Sequence, residues 1–552
     1  MPRTLRLDER DNVLVALEPI HRGDTVLLQG DPCSAPEDIP VKHKLVTEAC
    51  AVGDPVVMYG VLVGRATRPI ARGGLVSTQN LRHASEAYTA ERKGPQAVEA
   101  WPKPDVSAWR EKRFLGYHRD DGQVGTRNYW LVVPLVFCEN RNIAMLQEAF
   151  EEELGFRSPT AYRRRVAQMV EQHRAAQSSA AHTLKAALEN APAMREQVFP
   201  NLDGIRFLKH EGGCGGTRED SDNLCALIAG YLYHPNVAGA TVLSLGCQHA
   251  QGAILLNELR RRNPHFSKPL LLLDQQTEGT EAQLMEVALH ETFRGLVQAN
   301  QSVRMPASLA HLTVGLKCGG SDGFSGISAN PAIGYVSDLL AALGGRSILA
   351  EFPELCGVEQ SMVDRCVTDH TAERFVALMR DYESRARAAR SALEMNPSPG
   401  NIQDGLITDA MKSAGAARKS GTSPVMAVLD YPEYATEPGL NLLCTPGNDV
   451  ECVTAQVGAG ANLVLFTTGL GTPTGNPIAP VVKISTNTAL AERMADIIDI
   501  DTGPVVRGES TIEQMGEAIL EQMIELASGT RLTKAELLGQ YDFIPWKRGI
   551  SL

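Results

Sequence analysis

Aromatic residues are scarce in this chain: Phe, Trp and Tyr make up 5% of its 552 residues. No basic stretch is interleaved with them, so the stacking platforms and cationic tracks of a nucleic-acid surface are missing. Positive charge is in deficit too. Lys and Arg number 53 against 65 Asp and Glu, a formal net charge of −12. General binding to nucleic acid or to an anionic membrane is therefore not expected, although a local positive pocket for an anionic substrate is. No run of about 18 apolar residues occurs; the most apolar region, 225–245, is broken by His234, Pro235 and Asn236. The first twelve residues lack an apolar core segment, so no secretory signal is expected and the location is expected to be cytoplasmic. Cysteines number 11, an odd count without any C-x-x-C pair. That excludes a disulfide scaffold and argues against zinc ribbons and thioredoxin-like redox chemistry. There is no Walker A sequence, no fixed-period repeat and no low-complexity tract.

The length predicts two to four domains at roughly 100–200 residues each. Residues 1–88 read as a small β domain. Short apolar runs such as 13–17, 25–28 and 56–59 are separated by the turn signals Arg22-Gly23-Asp24, Gly53-Asp54-Pro55 and Arg72-Gly73-Gly74. Residues 89–112 are polar, Pro-containing and aperiodic, and read as a linker. From 113 onward, apolar β-type runs alternate with helical segments, which predicts an α/β region with mostly parallel sheet, divided here into 113–305 and 306–552. The expected strands are 130–136, 205–208, 241–245, 270–273, 312–316, 347–350, 425–429, 462–466, 481–484 and 497–500. Residues 158–196, rich in Arg, Ala, Gln and Glu, read as a solvated helical insertion.

Three expected strands each end in glycine beside a cysteine: Cys214 in HEGGCGG (210–216), Cys247 in SLGCQ (244–248) and Cys318 in KCGGSDG (317–323). In open parallel sheets ligands bind beyond the carboxyl ends of strands. Thiolates from three loops are a candidate iron-ligand set with an open coordination position for substrate. The alternative is that each is a small buried hydrophobe. His210 is a metal ligand, a general base or a satisfied loop histidine; spacing does not decide. The loop 466–477, with Thr467 and Thr468, and the segment 444–449, with Asn448 and Asp449, offer amides and hydroxyls suited to a carboxylate or to sugar hydroxyls. The glycine spacing of 466–477 is wrong for a dinucleotide fingerprint. Arg127, beside Asn128, and Lys483 are candidate carboxylate contacts. Glu351 and Glu354 are candidate acid–base groups or metal ligands.

Together the stretches GYHRDDGQVGTRN (116–128), HEGGCGG, SLGCQ, KCGGSDGFSGISANPAIGYVSDL (317–339), EFPE (351–354), NPSPGN (396–401), TPGND (445–449), FTTGLGTPTG (466–475) and KISTNT (483–488) resemble the altronate/galactarate dehydratase family, in order and over nearly the whole chain. The resemblance implies an N-terminal β-clip domain of the SAF type, a linker and a two-part Rossmann-like α/β catalytic region. It also implies a divalent-iron-dependent hydro-lyase acting on a sugar acid, and a homodimer. His210, Cys214, Cys247, Cys318, Asp322 and Lys483 match the family's motifs; Ser321 joins them as a candidate substrate contact. Two departures bear on specificity. The His-rich tail of many altronate-type members is replaced by Ser77-Thr78-Gln79-Asn80, and Leu470 stands where Arg is usual.

The expected reaction dehydrates a hexonate or hexarate to a 2-keto-3-deoxy acid. Cys214, Cys247 and Cys318 hold iron (one ion or a labile iron–sulfur cluster), and His210 or Lys483 is the base, with Asp322 and Glu354 as further catalytic candidates. The competing readings are a sulfolactate sulfo-lyase or another hydroxy-acid lyase on the same scaffold, an NAD-dependent dehydrogenase, and a non-catalytic sugar-acid-binding protein.

Overall fold

The computed structural model describes residues 2–93, 101–156, 161–177, 196–549 and 551. The N-terminal region is all β. Val13–Ala16 and Lys44–Val46 form the middle of a four-stranded antiparallel sheet flanked by Thr4–Leu5 and Leu75–Val76. Two hairpins, Thr25–Leu28 with Asp31–Ser34 and Pro55–Met58 with Val61–Ala66, turn on Gln29-Gly30 and Tyr59-Gly60. Both residues of each turn have positive φ, the I′ geometry that matches strand twist. The expected turns at 22–24, 53–55 and 72–74 are present, each with its glycine in the left-handed region.

The region after 113 carries two parallel sheets. In the central one, Tyr129–Pro134 (β1), Gly204–Phe207 (β2), Val237–Ser244 (β3) and Leu270–Asp274 (β4) lie in the order β2-β1-β3-β4. The C-terminal sheet has seven strands: Thr313–Cys318 (β5), Arg346–Leu349 (β6), Val425–Leu429 (β7), Gly439–Leu443 (β8), Leu463–Thr468 (β9), Val481–Ser485 (β10) and Ile500–Asp501 (β11). They run in the order β7-β8-β6-β5-β9-β10-β11, all parallel. The chain leaves β5 toward β6 on one side and returns to β9 on the other. That reversal opens a crevice at the carboxyl ends of β5 and β9. The central strands β1, β3, β5, β8 and β9 are buried along their whole length, as expected when helices cover both faces.

The three regions share cores. Leu131, Val133 and Tyr231 of the central region pack with Val464 and Phe466 of the C-terminal sheet and with Val453 of a helix on it. Val13, Val46, Met58 and Val63 of the N-terminal region pack with Phe324, Ile327, Ile407 and Met411. The segment expected to be a linker is partly a strap: Val106 and Trp109 enter the C-terminal core, and Arg92 pairs with Asp369 at 2.8 Å. Residues 94–100 of it lie outside the described residues. Of the expected insertion at 158–196, the helix Ala161–Gln177 is present, while 157–160 and 178–195 lie outside the described residues. No helix among the described residues is long and apolar enough to cross a membrane.

Two expected substrate contacts turn out to be architectural. Arg127 and Asn128 sit at the amino end of β1, opposite to where ligands bind. The Arg127 side chain is fully buried, with a bidentate pair to Glu536 (2.8 and 3.1 Å) and further bonds to the carbonyls of Thr126 and Leu526. Asn128 donates to the carbonyls of Asn201 and Ala299. Replacing Arg127 by Met strands the Glu536 carboxylate in the interior, and urea unfolding should show a loss of about 3–5 kcal/mol. The variant's KM should stay unchanged; a raised KM at unchanged stability would return Arg127 to the substrate.

Candidate active site

At the carboxyl end of β5, chain alternation sends Lys317 to one face of the sheet and Cys318 to the other. Both are buried completely. Lys317 pairs with Glu351, just past β6, and with Asp449 at 3.0 Å. Cys318 Sγ lies 2.7 Å from Lys419 Nζ and 3.2 Å from Glu354. Lys419 also reaches Glu351 at 2.9 Å and Glu354 at 3.6 Å, and Lys412 reaches Glu354 at 3.0 Å. Three ammonium groups are thus matched by three carboxylates. Burial alone would strip charge from all of them. The neighbours outweigh it: Lys317, Lys412 and Lys419 are held above the ordinary lysine range by the facing acids, and Glu354 below the usual carboxylate range by Lys412, Lys419 and Lys317. Cys318 goes the other way. Burial and the Glu354 charge push its thiol up to about 12 in spite of Lys419.

Local structure fixes each member. Glu351 has φ 69, a left-handed conformation that a non-glycine residue holds only under constraint; its N–H donates to Thr445 Oγ1 at 2.9 Å. Asp449 opens the helix Asp449–Gly458 (α1), whose N-cap Asn448 accepts from the amides of Val450 and Glu451. Gly319 lies so close that a Cβ there would stand 2.5 Å from the Asp449 carboxylate. Lys412 and Lys419 come from the helix Asp409–Ala417 (α2) and the turn after it. At the start of α2, Asp409 has both carboxylate oxygens buried without a partner, and burial pushes it up to about 8, so it adds no negative charge to the cluster at neutral pH.

Lys317, Phe466 and Lys483 are register partners on β5, β9 and β10. They stand in a row on one face, the two lysines about 9–10 Å apart at the backbone. Both ammonium groups lie over the Phe466 ring. Burial pulls Lys483 down to about 8, with Asp499 only partly opposing it, and its Nζ donates to the Thr474 carbonyl.

The remaining expected residues divide. Asp322 is fully buried and accepts from Ser325, Thr486, Asn487 and the amide of Phe324; it ties the loop after β5 to the one after β10. Asn401 donates to the Ser321 carbonyl, Thr467 hydroxyl bonds to Asn330 at 2.6 Å, and Thr468 Oγ1 accepts from the Gly471 amide. These groups build the walls of the crevice. Asn448 is consumed as a cap. Lys412 and Lys419 had no sequence motif to announce them; the one signal was the run of small residues around them in AMKSAGAARKS, which lets a helix sit deep.

His210 is neither base nor ligand in this structure. It is buried, with Nε2 2.7 Å from the Pro134 carbonyl and Nδ1 accepting from the Gly212 amide at 3.1 Å. Both ring nitrogens are spent on holding the loop that carries Cys214. The three expected iron ligands do not form one donor set either. Among the described residues, the one group of three His, Cys, Asp or Glu donors within 4.8 Å of one another is Cys318, Glu351 and Glu354. The Lys419 ammonium already lies against all three of these donors. A single ion held by Cys214, Cys247 and Cys318 therefore does not fit the arrangement present. Cys214 and Cys247 are exposed, on loops joined by the amides of His249 and Ala250 donating to the Gly213 carbonyl.

One cavity borders the cluster, and a second lies beside Cys214. One, about 400 Å³, is lined by Pro353, Asn396, Gly447 and Trp546, and Gly447 borders Glu354. The other, about 520 Å³, is lined by Lys209, Cys214, Glu451, Trp546 and Lys547. A third cavity, about 600 Å³, lies at the amino ends of β5 and β6, around Thr313 and Arg346, away from this chemistry.

Burial depresses His210 to about 4. The unfolded chain therefore binds the extra proton first as pH falls from about 6.5, and the stability due to the neutral ring is lost between there and about pH 4. Urea midpoints over that range should show His210→Asn losing about 3 kcal/mol less than the parent; parallel pH profiles would contradict the assignment.

Residues 2–84 match the model of the altronate/galactarate dehydratase SAF domain, 116–300 the second domain of D-galactarate dehydratase/altronate hydrolase, and 309–551 the C-terminal part of D-galactarate/altronate dehydratase. Altronate dehydratase of Escherichia coli (strain K12) is 32% identical over 551 residues, 99% of each chain, and that of Bacillus subtilis (strain 168) is 30% identical over 100% of each. Galactarate dehydratase (L-threo-forming) of Escherichia coli (strain K12) is 29% identical over 92% of this chain and 89% of its own. With three successive family domains and end-to-end likeness above 30%, this chain belongs to the altronate/galactarate dehydratase family of hydro-lyases.

Proposed function

We propose that this enzyme removes water from a hexonate or hexarate of the altronate or galactarate kind and releases a 2-keto-3-deoxy acid. The observation that carries the reading is the buried set of cations at the carboxyl edge of the C-terminal sheet. Taking the proton alpha to a carboxylate places a second negative charge on a group that already bears one. That step needs fixed cations in a site shielded from water, and Lys317, Lys412 and Lys419 meet the need at one place.

The substrate carboxylate is held in the cavity beside Cys214 by Lys209 and Lys547, which have no ion-pair partner among the described residues. Lys483, depressed to about 8, takes the C2 proton, since a base near the working pH is effective at proton transfer. The C3 hydroxyl leaves as water with the proton that Lys483 took from C2, and Glu354, kept ionised, holds Lys412 and Lys419 in position. The enol then tautomerises to the 2-keto acid in solution.

Iron enters this reading as a cluster. Cys214 and Cys247, exposed thiols on joined loops, together with Cys318, would be the thiolates that hold it. When bound, iron supplies a Lewis acid for the departing hydroxyl.

The test is anaerobic incubation of the iron-reconstituted enzyme with hexonates, hexarates, pentonates and sulfolactate, reading 2-keto acid and sulfite. Keto acid from one hexonate or hexarate is expected; sulfite would move the enzyme to a sulfo-lyase. Lys483→Met should lower kcat by about 10²–10⁴-fold. Cys214→Ala and Cys247→Ala should each lose iron by metal analysis; full iron in both would overturn the cluster. Light scattering should give a homodimer.

A further inference from the structure

The N-terminal β domain reaches the crevice with one side chain. Lys42 Nζ lies 3.0 Å from Asp322 and 3.2 Å from Asp404. The Asp322 carboxylate is wholly buried and that of Asp404 about a quarter exposed, so this is a bridge across the domain boundary and not a surface pair. Asp322 is also the acceptor for Thr486, Asn487 and Ser325, and its side chain lies against Gly469 of the loop after β9. Asp404 neighbours Asn401, which holds the Ser321 carbonyl, and its own carbonyl accepts from Gly323. One ammonium group therefore stands where the loops after β5, β9 and β10 and the segment 401–405 meet.

The backbone is shaped to put it there. Lys42 has φ 73, a left-handed conformation that is strained for a lysine and persists only where its surroundings impose it. Its N–H donates to the Ala16 carbonyl, and its own carbonyl accepts from the buried Lys44 ammonium at 2.9 Å. The receiving surface is cut to fit: a Cβ on Gly323 or Gly405 would stand 2.6 or 2.5 Å from the Lys42 carbonyl oxygen. The apolar core shared by Met58 and Val63 with Phe324, Ile407 and Met411 holds the two surfaces together.

We propose that Lys42 is a positioning residue of the dehydratase site: acting through Asp322, it fixes the loops that face Lys317 and Cys318, so the N-terminal domain is a working wall of the site. The inference rests on the dehydratase reading for its kinetic test but not for its structural one.

Full-length Lys42→Met and Lys42→Arg are compared with the parent. In Lys42→Met, kcat should fall on the order of tenfold to a hundredfold while KM changes by less than about threefold, and Lys42→Arg, which keeps the charge, should recover most of it. Hydrogen exchange should rise in Lys42→Met at 321–324, 468–472 and 485–488, and stay unchanged in the strands Val13–Ala16 and Val61–Ala66. If the parent turns over no sugar acid, the dehydratase reading fails and exchange alone decides the role of Lys42. Unchanged exchange at those loops, or Lys42→Met with the parent kcat, would overturn it. Exchange rising throughout the N-terminal domain, with Lys42→Arg no better than Met, would show a role in folding alone and would overturn it equally.

Discussion

Burying three ammonium groups at one strand end is possible only if the same small volume holds their counter-charges. An isolated buried ion costs several kcal/mol, and breaking one member from a buried pair costs about 3–5 kcal/mol. Glu351, Glu354 and Asp449 meet that demand, and each arrives by a different element: the turn after β6, the short helix that follows it, and the first turn of α1. Electroneutrality thus dictates which loops must converge. Asp409, one turn from Lys412, stands outside this balance, because burial pushes its carboxyl up to about 8.

The order of the strands makes the convergence possible. Because the chain departs from β5 on one side and comes back on the other, the loops after β5 and β9 diverge, and the crevice between them is filled from outside the sheet. Lys412 fills it from α2, Lys419 from the turn after α2 and Lys42 from the N-terminal domain. Cores shared between regions keep those distant contributors in register around a cluster whose lysines and carboxylates all lie in the C-terminal region.

Much of this architecture was legible in the sequence. Nine apolar runs marked strands because a parallel sheet covered on both faces needs uninterrupted Val, Ile and Leu; the tenth, 497–500, meets a strand only at its last residue, since β11 starts at Ile500. The strand that escaped, β8, reads Gly-Leu-Asn-Leu-Leu; its Asn441 looks polar but satisfies its amide on the carbonyls of Glu437 and Gly439, so a buried strand carries a residue that breaks the pattern. The strand Arg113–His118, paired antiparallel with Met305–Ser308, opens the region read as α/β but was not among the expected strands. Near the cluster, glycine beside cysteine marked the crevice at Cys318 alone, since Cys214 and Cys247 follow β2 and β3 of the central sheet; Glu351, Glu354, Asp449 and Lys483 were also marked. What local sequence does not carry is the identity of the far partner. Arg127 and His210 have the right chemistry for a substrate or a metal, and whether that chemistry is already spent on Glu536 or Pro134 depends on contacts made by residues 409 and 76 positions away.

The lysines show the same limit from the opposite side. Lys42, Lys412 and Lys419 carried no mark in the sequence, since lysine is exposed by default and the acids they pair with lie far along the chain. Their acids stand on other elements altogether: Asp322 and Asp404 for Lys42, Glu354 and Glu351 for the other two. A buried lysine is therefore defined by its partner and not by its neighbours in the chain. The small residues of α2 and the glycines at 323 and 405 are the only local traces, because they mark where another backbone must come close. In a family whose reaction places extra negative charge on its substrate, those traces of close approach point to where the compensating cations have been brought.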